Sequence, residues 1–226
     1  MSGFKFGKYN DIFKNNLFEA IREYVIKSCE VMVEDSINKN ELLPNNEDKI
    51  KNRLVFKYLR DDKNKDRLNF DTWKLDFEAE NSENYSQENG DIADARLDIK
   101  IISEDTLASN ERYYTIECKR LDGNKTLNTK YIDEGVARFV KGQVKYASAY
   151  KKNFMLGFLV KNFDIIENTE KIDKTQKTNL PTEVVTPLNI FLNNAPSCCV
   201  YSGNYRTLKG DLEIHHIFYN VSAAMK

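Results

Sequence analysis

The sequence predicts an α/β domain in which an antiparallel meander of strands is flanked by helices. Apolar residues recur at helical spacing from Tyr9 to about Glu34 and again from Tyr131 to Lys151. Three segments, around Trp73 to Ala79, Asp98 and Glu117, alternate apolar and polar residues with the period of half-buried strands. Phe154 to Val160 is a short, continuous apolar run of the kind that forms a strand buried on both faces.

In chain order, Ile12, Phe13, Leu17, Ile21, Tyr24, Val25 and Met32 make the inward stripe of a long first helix over 9–34. Asn45 or Asn46, just after Pro44, supplies an N-cap for a second helix, whose stripe starts at Glu47 and continues through Ile50, Leu54 and Tyr58. Asp61 to Arg67 reads as a lysine-rich loop and Asn81 to Gly90 as a turn or hairpin loop. A loop through Ser109 separates the Asp98 and Glu117 strands, and Leu121 to Lys130 reads as another. Gly135, Gly142 and Ala149 recur on one stripe of the 131–151 helix, where small residues let it approach a sheet closely. That close approach outweighs a propensity cost of roughly 1 kcal/mol per glycine. Lys161 to Thr186 reads as a polar loop with at most one short helix, and Val184 to Asn193 as a short helix. Cys198 to Ser202 and Glu213 to Asn220 read as two more strands of the sheet.

A length of 226 residues suits one domain over 1–226, with a core of about 46–160, the helix over 9–34 before it and strands at about 198–220 after it. Net charge is -1, so any contact with nucleic acid has to be local. Cys29, Cys118, Cys198 and Cys199 lack zinc-ligand spacing and have only His215 and His216 for company, which points to reduced thiols in a cytoplasmic protein. No secretory h-region or membrane-spanning run is expected, and so no membrane partner. In the last strand, one histidine should face inward and the other outward, as packed or hydrogen-bonded side chains.

The chemistry of the chain centres on Asp98 in Ala-Arg-Leu-Asp-Ile-Lys and on Glu117 and Lys119 in Thr-Ile-Glu-Cys-Lys-Arg. Glu117 and Lys119 lie on the same side of their strand, and Asp98 meets them if the two strands are neighbours. Two carboxylates and an ammonium on one patch suit a hard divalent cation and an activated water beside a phosphate. Asp91 and Asp94 are weaker candidates, since they stand at the loop end of the run while Asp98 sits among alternating apolar residues. Cys118 faces away from this patch and reads as a core residue. Arg138, Lys141, Lys145 and Lys152 share a helix face, and Lys125 and Lys130 lie in the segment leaving the Glu117 strand; all are candidates for phosphate contact or simply a solvated basic surface.

This order of elements, with Asp98 on one strand and Glu117-Cys118-Lys119 on the next, resembles the PD-(D/E)XK nuclease superfamily over roughly Glu47 to Val160. Leu97 stands where the family's proline would be. The resemblance implies a restriction-endonuclease-like fold: a central mixed sheet with an antiparallel meander, flanked by helices. It implies that Asp98 and Glu117 bind Mg²⁺, with Mn²⁺ able to substitute, that the Cys118 carbonyl is a further ligand, and that Lys119 acts on the attacking water. A metal beside Lys119 would lower its pKa. Gln143 partly matches a helper glutamine on the following helix of some members. Glu47, with Glu19 and Glu23 behind it, is the best candidate for an acidic residue on the preceding helix. Gln143 and Glu47 can equally be buried structural hydrogen bonders. The implied function is Mg²⁺-dependent DNA endonuclease activity in restriction or anti-phage defence, with a partner subunit or homodimer selecting the target. The alternatives are a non-catalytic nucleic-acid-binding or assembly subunit of the same fold and a ribonuclease.

Overall fold

The computed structural model describes residues 6–70, 74–85, 93–103, 113–141 and 150–226. Trp73, Asp91, Gly142, Gln143, Lys145, Ala149 and the loop through Ser109 lie outside them. The chain is α/β: a seven-stranded mixed sheet of order β1-β2-β3-β4-β7-β6-β5, flanked by helices. The strands are β1 (Leu75–Tyr85), β2 (Ala93–Ser103), β3 (Tyr114–Leu121), β4 (Lys152–Leu159), β5 (Asn189–Asn194), β6 (Cys198–Thr207) and β7 (Gly210–Asn220). The pairs β1/β2, β2/β3, β6/β7 and β5/β6 are antiparallel, and the central β3/β4 and β4/β7 pairs are parallel. The first three strands form the expected meander, and the two C-terminal strands join the same sheet.

Helix α1 (Phe6–Asn38) lays Leu17, Phe18, Ile21, Tyr24, Val25, Cys29 and Met32 on one face of the sheet, against Phe77, Ile99, Ile116, Phe154 and Ile217. It ends where Asn40 takes a left-handed φ of 53°, a conformation asparagine tolerates, and the Glu41 N–H closes back on the Ser36 carbonyl at 2.9 Å. Helix α2 (Glu47–Leu54) starts at Asn46, whose side chain accepts the Lys49 N–H at 3.0 Å, and it buries Ile50 and Leu54 in the same layer. A π-helical turn, Val55–Leu59, continues it.

The opposite face of the sheet is covered by α4 (Lys125–Lys130), the π segment Tyr131–Val136, α5 (Ala137–Val140) and α6 (Ile165–Asn179). Tyr131, Ile132, Val136, Phe139, Ile165 and Ile172 pack there against Met155, Leu159, Ile214 and Phe218. A Cβ on Gly135 would lie 2.6 Å from Met155 Cε and 3.4 Å from Lys119 Cγ, so this glycine sets how closely the helix approaches the sheet. With both faces covered, β4 is buried along nearly its whole length, as its apolar run requires.

Several sequence expectations change. Residues 61–67 contain helix α3 (Asp62–Arg67), capped by the Asp61 side chain on the Asn64 N–H. No apolar stripe announces it; buried Asn64 anchors it by donating to the Tyr58 carbonyl at 2.9 Å. β1 runs on through Tyr85, where a loop is predicted. The predicted 121–130 loop contains α4, so helix starts before Tyr131; the helical path breaks at Lys141, which is extended, and the rest of the predicted helix, 142–149, lies outside the described residues. The predicted 161–186 loop holds the fifteen-residue α6, and β5 replaces a predicted helix at the sheet edge. His215 and His216 both face inward, because the sheet is covered on both sides.

Candidate active site

Among the described residues, β2 and β3 pair at Ile99↔Ile116, Lys100↔Thr115 and Ile101↔Tyr114. Beyond Ile99 the strands part, and Leu97 packs into the second apolar layer although Ile99 and Ile101 pack into the first. The β3 amides that would have faced β2 then need other acceptors. Cys118 N–H donates to Asp98 Oδ2 at 2.9 Å, and Arg120 N–H donates to Glu47 Oε2 at 2.8 Å. Two carboxylates, one from β2 and one from the first turn of α2, thus occupy the line along which the ladder would have continued.

Lys119 converges on the same place. Its Nζ donates to Glu117 Oε1 at 2.9 Å, the Cys118 carbonyl at 2.9 Å and Glu47 Oε1 at 3.2 Å. Glu117 is fully buried, a position that an ionised carboxylate holds only when paired. Arg138 on α5 supplies a second cation, with Nη1 2.9 Å from Glu117 Oε1. Lys51, one turn along α2 from Glu47, donates to Asp98 Oδ1 at 3.0 Å and to Asp48 Oδ1 at 3.1 Å. Glu47, Asp98 and Glu117 therefore face Lys51, Lys119 and Arg138 in one cluster built from α2, β2, β3 and α5.

Electrostatics follow from this pairing. Burial works to lower the Lys119 pKa, but Glu117 and Glu47 outweigh it and hold the ammonium above the ordinary lysine value. Lys51 is likewise raised, with Asp98 overcoming its burial. Burial first, and then Asp98, pushes the Cys118 thiol well above its usual range. Its side chain belongs to the first apolar layer, which fits a core residue and not a nucleophile.

The structure brings together Asp98, Glu117, Lys119, Glu47 and the Cys118 carbonyl from the expected set. Gln143 and Lys145 are not among the described residues. Lys125, Lys130 and Lys141 are exposed, and Lys130 lies 3.8 Å from Glu134. Lys125 and Lys130 stand on α4 and not in a loop. Arg138, expected on a phosphate-facing helix surface, reaches into the cluster itself. Lys51 is absent from the expected set; its signal is the i, i+4 spacing from Glu47 on a helix whose stripe starts at that glutamate.

Among the described residues, no group of three or more His, Cys, Asp or Glu side chains stands ready to hold a metal ion. The donors nevertheless suit a hard cation. Oxygens of Glu117, Glu47 and Cys118 already surround one positive charge, the Lys119 ammonium, within 3.2 Å, and Asp98 is linked to them through the Cys118 amide. The two histidines serve elsewhere. His215 Nε2 meets Glu213 Oε1 at 2.9 Å, and His216 lies between the hydroxyls of Tyr131 and Tyr205 at 3.0 and 2.9 Å. Comparisons with protein-family models, with curated proteins and with solved structures found no match. No helix among the described residues is long and apolar enough to cross a membrane.

Proposed function

We propose that this protein is a divalent-metal-dependent deoxyribonuclease of the PD-(D/E)XK type, with a restriction-endonuclease-like fold, acting in restriction or anti-phage defence. The observation that carries this reading is the convergence of Glu117, Glu47 and the Cys118 carbonyl on Lys119 Nζ, with Asp98 held against β3 where β2 leaves it. Asp98, Glu117 and the Cys118 carbonyl would hold Mg²⁺, or Mn²⁺ in its place. Such an ion supplies a nucleophilic water near neutral pH and offsets charge on the phosphate.

The chain's own groups divide the remaining work. Lys119 orients the attacking water and donates to a phosphate oxygen. Glu47 fixes the Lys119 ammonium from one side and the β3 backbone from the other. Lys51 holds Asp98 against β3. Exposed Lys125, Lys130 and Lys141 contact neighbouring phosphates. A net charge of -1 favours a partner subunit or second copy for target selection.

The test is cleavage of duplex, single-stranded and branched DNA and matched RNA in Mg²⁺ or Mn²⁺, with Glu117→Ala and Lys119→Ala as controls. Metal-dependent DNA cutting that both substitutions abolish is expected. Preferential RNA cutting would make the protein a ribonuclease. Absence of cutting would leave a non-catalytic nucleic-acid-binding or assembly subunit, a reading favoured by the cationic partner that each site carboxylate already has, whereas cutting unchanged by Lys119→Ala would overturn the role given to this cluster.

A further inference from the structure

Glu117 is fully buried, yet two cations share its Oε1: Lys119 from its own strand and Arg138 from α5, each at 2.9 Å. The two are held differently. Lys119 is itself buried and gripped by three acceptors. Arg138 has a side chain 35% exposed and enters from the rim of the cluster, from the last helical turn before Lys141 becomes extended. A divalent ion at Glu117 would share the carboxylate with two monovalent cations, and like charges at this spacing repel strongly in a buried site. Of the two, Arg138 is the more exposed, 35% against 8% for the Lys119 side chain, and is the one placed to give way.

We infer that Arg138 is an internal counter-ion which a divalent cation displaces from Glu117, and that the displaced guanidinium then takes a phosphate of the bound nucleic acid. The inference rests on the reading of Glu117 as a metal ligand. Without metal, Arg138 neutralises a buried carboxylate that would otherwise destabilise the fold. With metal, a planar fork of donors becomes available at the rim, where it suits a phosphate oxygen pair. Metal affinity is lowered by the fraction of molecules in which Arg138 occupies the carboxylate, and grip on the substrate is tied to metal loading.

The experiment titrates Mn²⁺ into the intact protein, reading free Mn²⁺ by electron paramagnetic resonance, for wild type, Arg138→Ala, Arg138→Gln and Glu117→Ala, with circular dichroism to confirm folding. Arg138→Gln keeps an N–H donor on a shorter side chain and removes the charge, so it covers the case in which Arg138→Ala does not fold. Removing the competitor should tighten Mn²⁺ binding about tenfold. In a second measurement, Ca²⁺ should strengthen the binding of a fluorescent DNA duplex to wild type, and Arg138→Gln should lose most of that gain. Mn²⁺ binding that needs Glu117 but is no tighter in Arg138→Gln overturns the counter-ion role and leaves the metal site standing. A Ca²⁺-dependent gain that persists in Arg138→Gln overturns the phosphate role. Mn²⁺ binding indifferent to Glu117→Ala, or absent from wild type and Arg138 variants alike, overturns the metal site and the inference with it.

Discussion

Asp98 Oδ2 accepts the backbone N–H of Cys118 at 2.9 Å, so a side chain stands where a strand carbonyl would have completed the β2–β3 ladder. The other oxygen of the same carboxylate holds Lys51, whose side chain is almost wholly buried. Asp98→Ala therefore leaves one strand amide without its acceptor and takes one carboxylate away from a buried ammonium. A loss of about 3 kcal/mol of stability is expected. Asp98→Asn keeps an acceptor for Cys118 and should cost less, while cleavage falls in both variants. Urea unfolding followed by circular dichroism, alongside the cleavage assay, separates the two effects; equal stability losses would argue against the Cys118 bond.

Lys119 has a structural and a chemical task that different substitutions can divide. Lys119→Met preserves the aliphatic stem against Gly135 but removes one of the two cations that share Glu117 Oε1. Stability should drop by about 3 kcal/mol, and cleavage by a factor of about 100 or more. Lys119→Arg should recover most of the stability without recovering the rate. Recovery of both would mean that charge alone, and not the reach of the lysine, serves the reaction.

Acid should destabilise the fold through His216. Burial first, and then His215, depresses the His216 pKa to about 3 from an ordinary 6.5, with Tyr131 and Tyr205 bonded to its ring nitrogens. The unfolded chain thus binds a proton below about pH 6.5 that the folded chain refuses until about pH 3. The stability from neutral His216 is complete above pH 6.5 and is lost as pH falls through that window. Glu213, held at about 2 chiefly by its bond to His215, adds a loss of the same sign at lower pH, from its ordinary 4.5 downward. Urea midpoints between pH 7 and pH 4 should fall steadily for wild type and more shallowly for His216→Gln; parallel slopes would show that another group governs this range.

Two glycines should respond unequally to alanine. At Gly157 an added Cβ would lie 2.8 Å from Phe218 Cδ1 and 2.9 Å from Leu121 Cδ1, both in the packed interior of the sheet. Gly157→Ala should cost about 2–3 kcal/mol. At Gly135 the nearest atom is the terminal methyl of Met155, the far end of a flexible chain, so the cost should stay below about 1 kcal/mol. Thermal melting of both variants checks the order, and a larger loss at Gly135 would mean that the helix cannot shift.

Where apolar residues set the pattern, the elements were legible. The stripe of Leu17, Ile21, Tyr24, Val25 and Met32, the alternation around Glu117 and the run before Val160 all appear as read. Helix α6 was hidden because its buried stripe, Ile165, Asn168, Thr169, Ile172 and Gln176, keeps helical spacing but is largely polar. Asn168 pairs with Asn128, and Gln176 accepts from Tyr205, so those side chains are buried at no loss of hydrogen bonding. Such partners lie far away in sequence and leave no local trace. The same reason explains the cluster: Asp98, Glu117 and Lys119 declare themselves by strand alternation and Lys51 by its helical spacing from Glu47, whereas Arg138 joins through a helix docking that no periodicity specifies.

The position of β7 bears on how the chain reaches this state. It follows every other strand in sequence yet lies at the centre of the sheet, against β4 on one side and β6 on the other. As the polypeptide emerges from the ribosome, the meander of β1, β2 and β3 and the strand β4 can form while β4 still presents an apolar, unpaired edge. Closing that edge requires a contact across some fifty intervening residues, a slow step relative to local pairing. Until it closes, the nascent protein exposes a template for pairing with other chains. A ribosome stalled before Gly210 would therefore release a species prone to aggregate, even though every residue of the acidic and basic cluster had already been made.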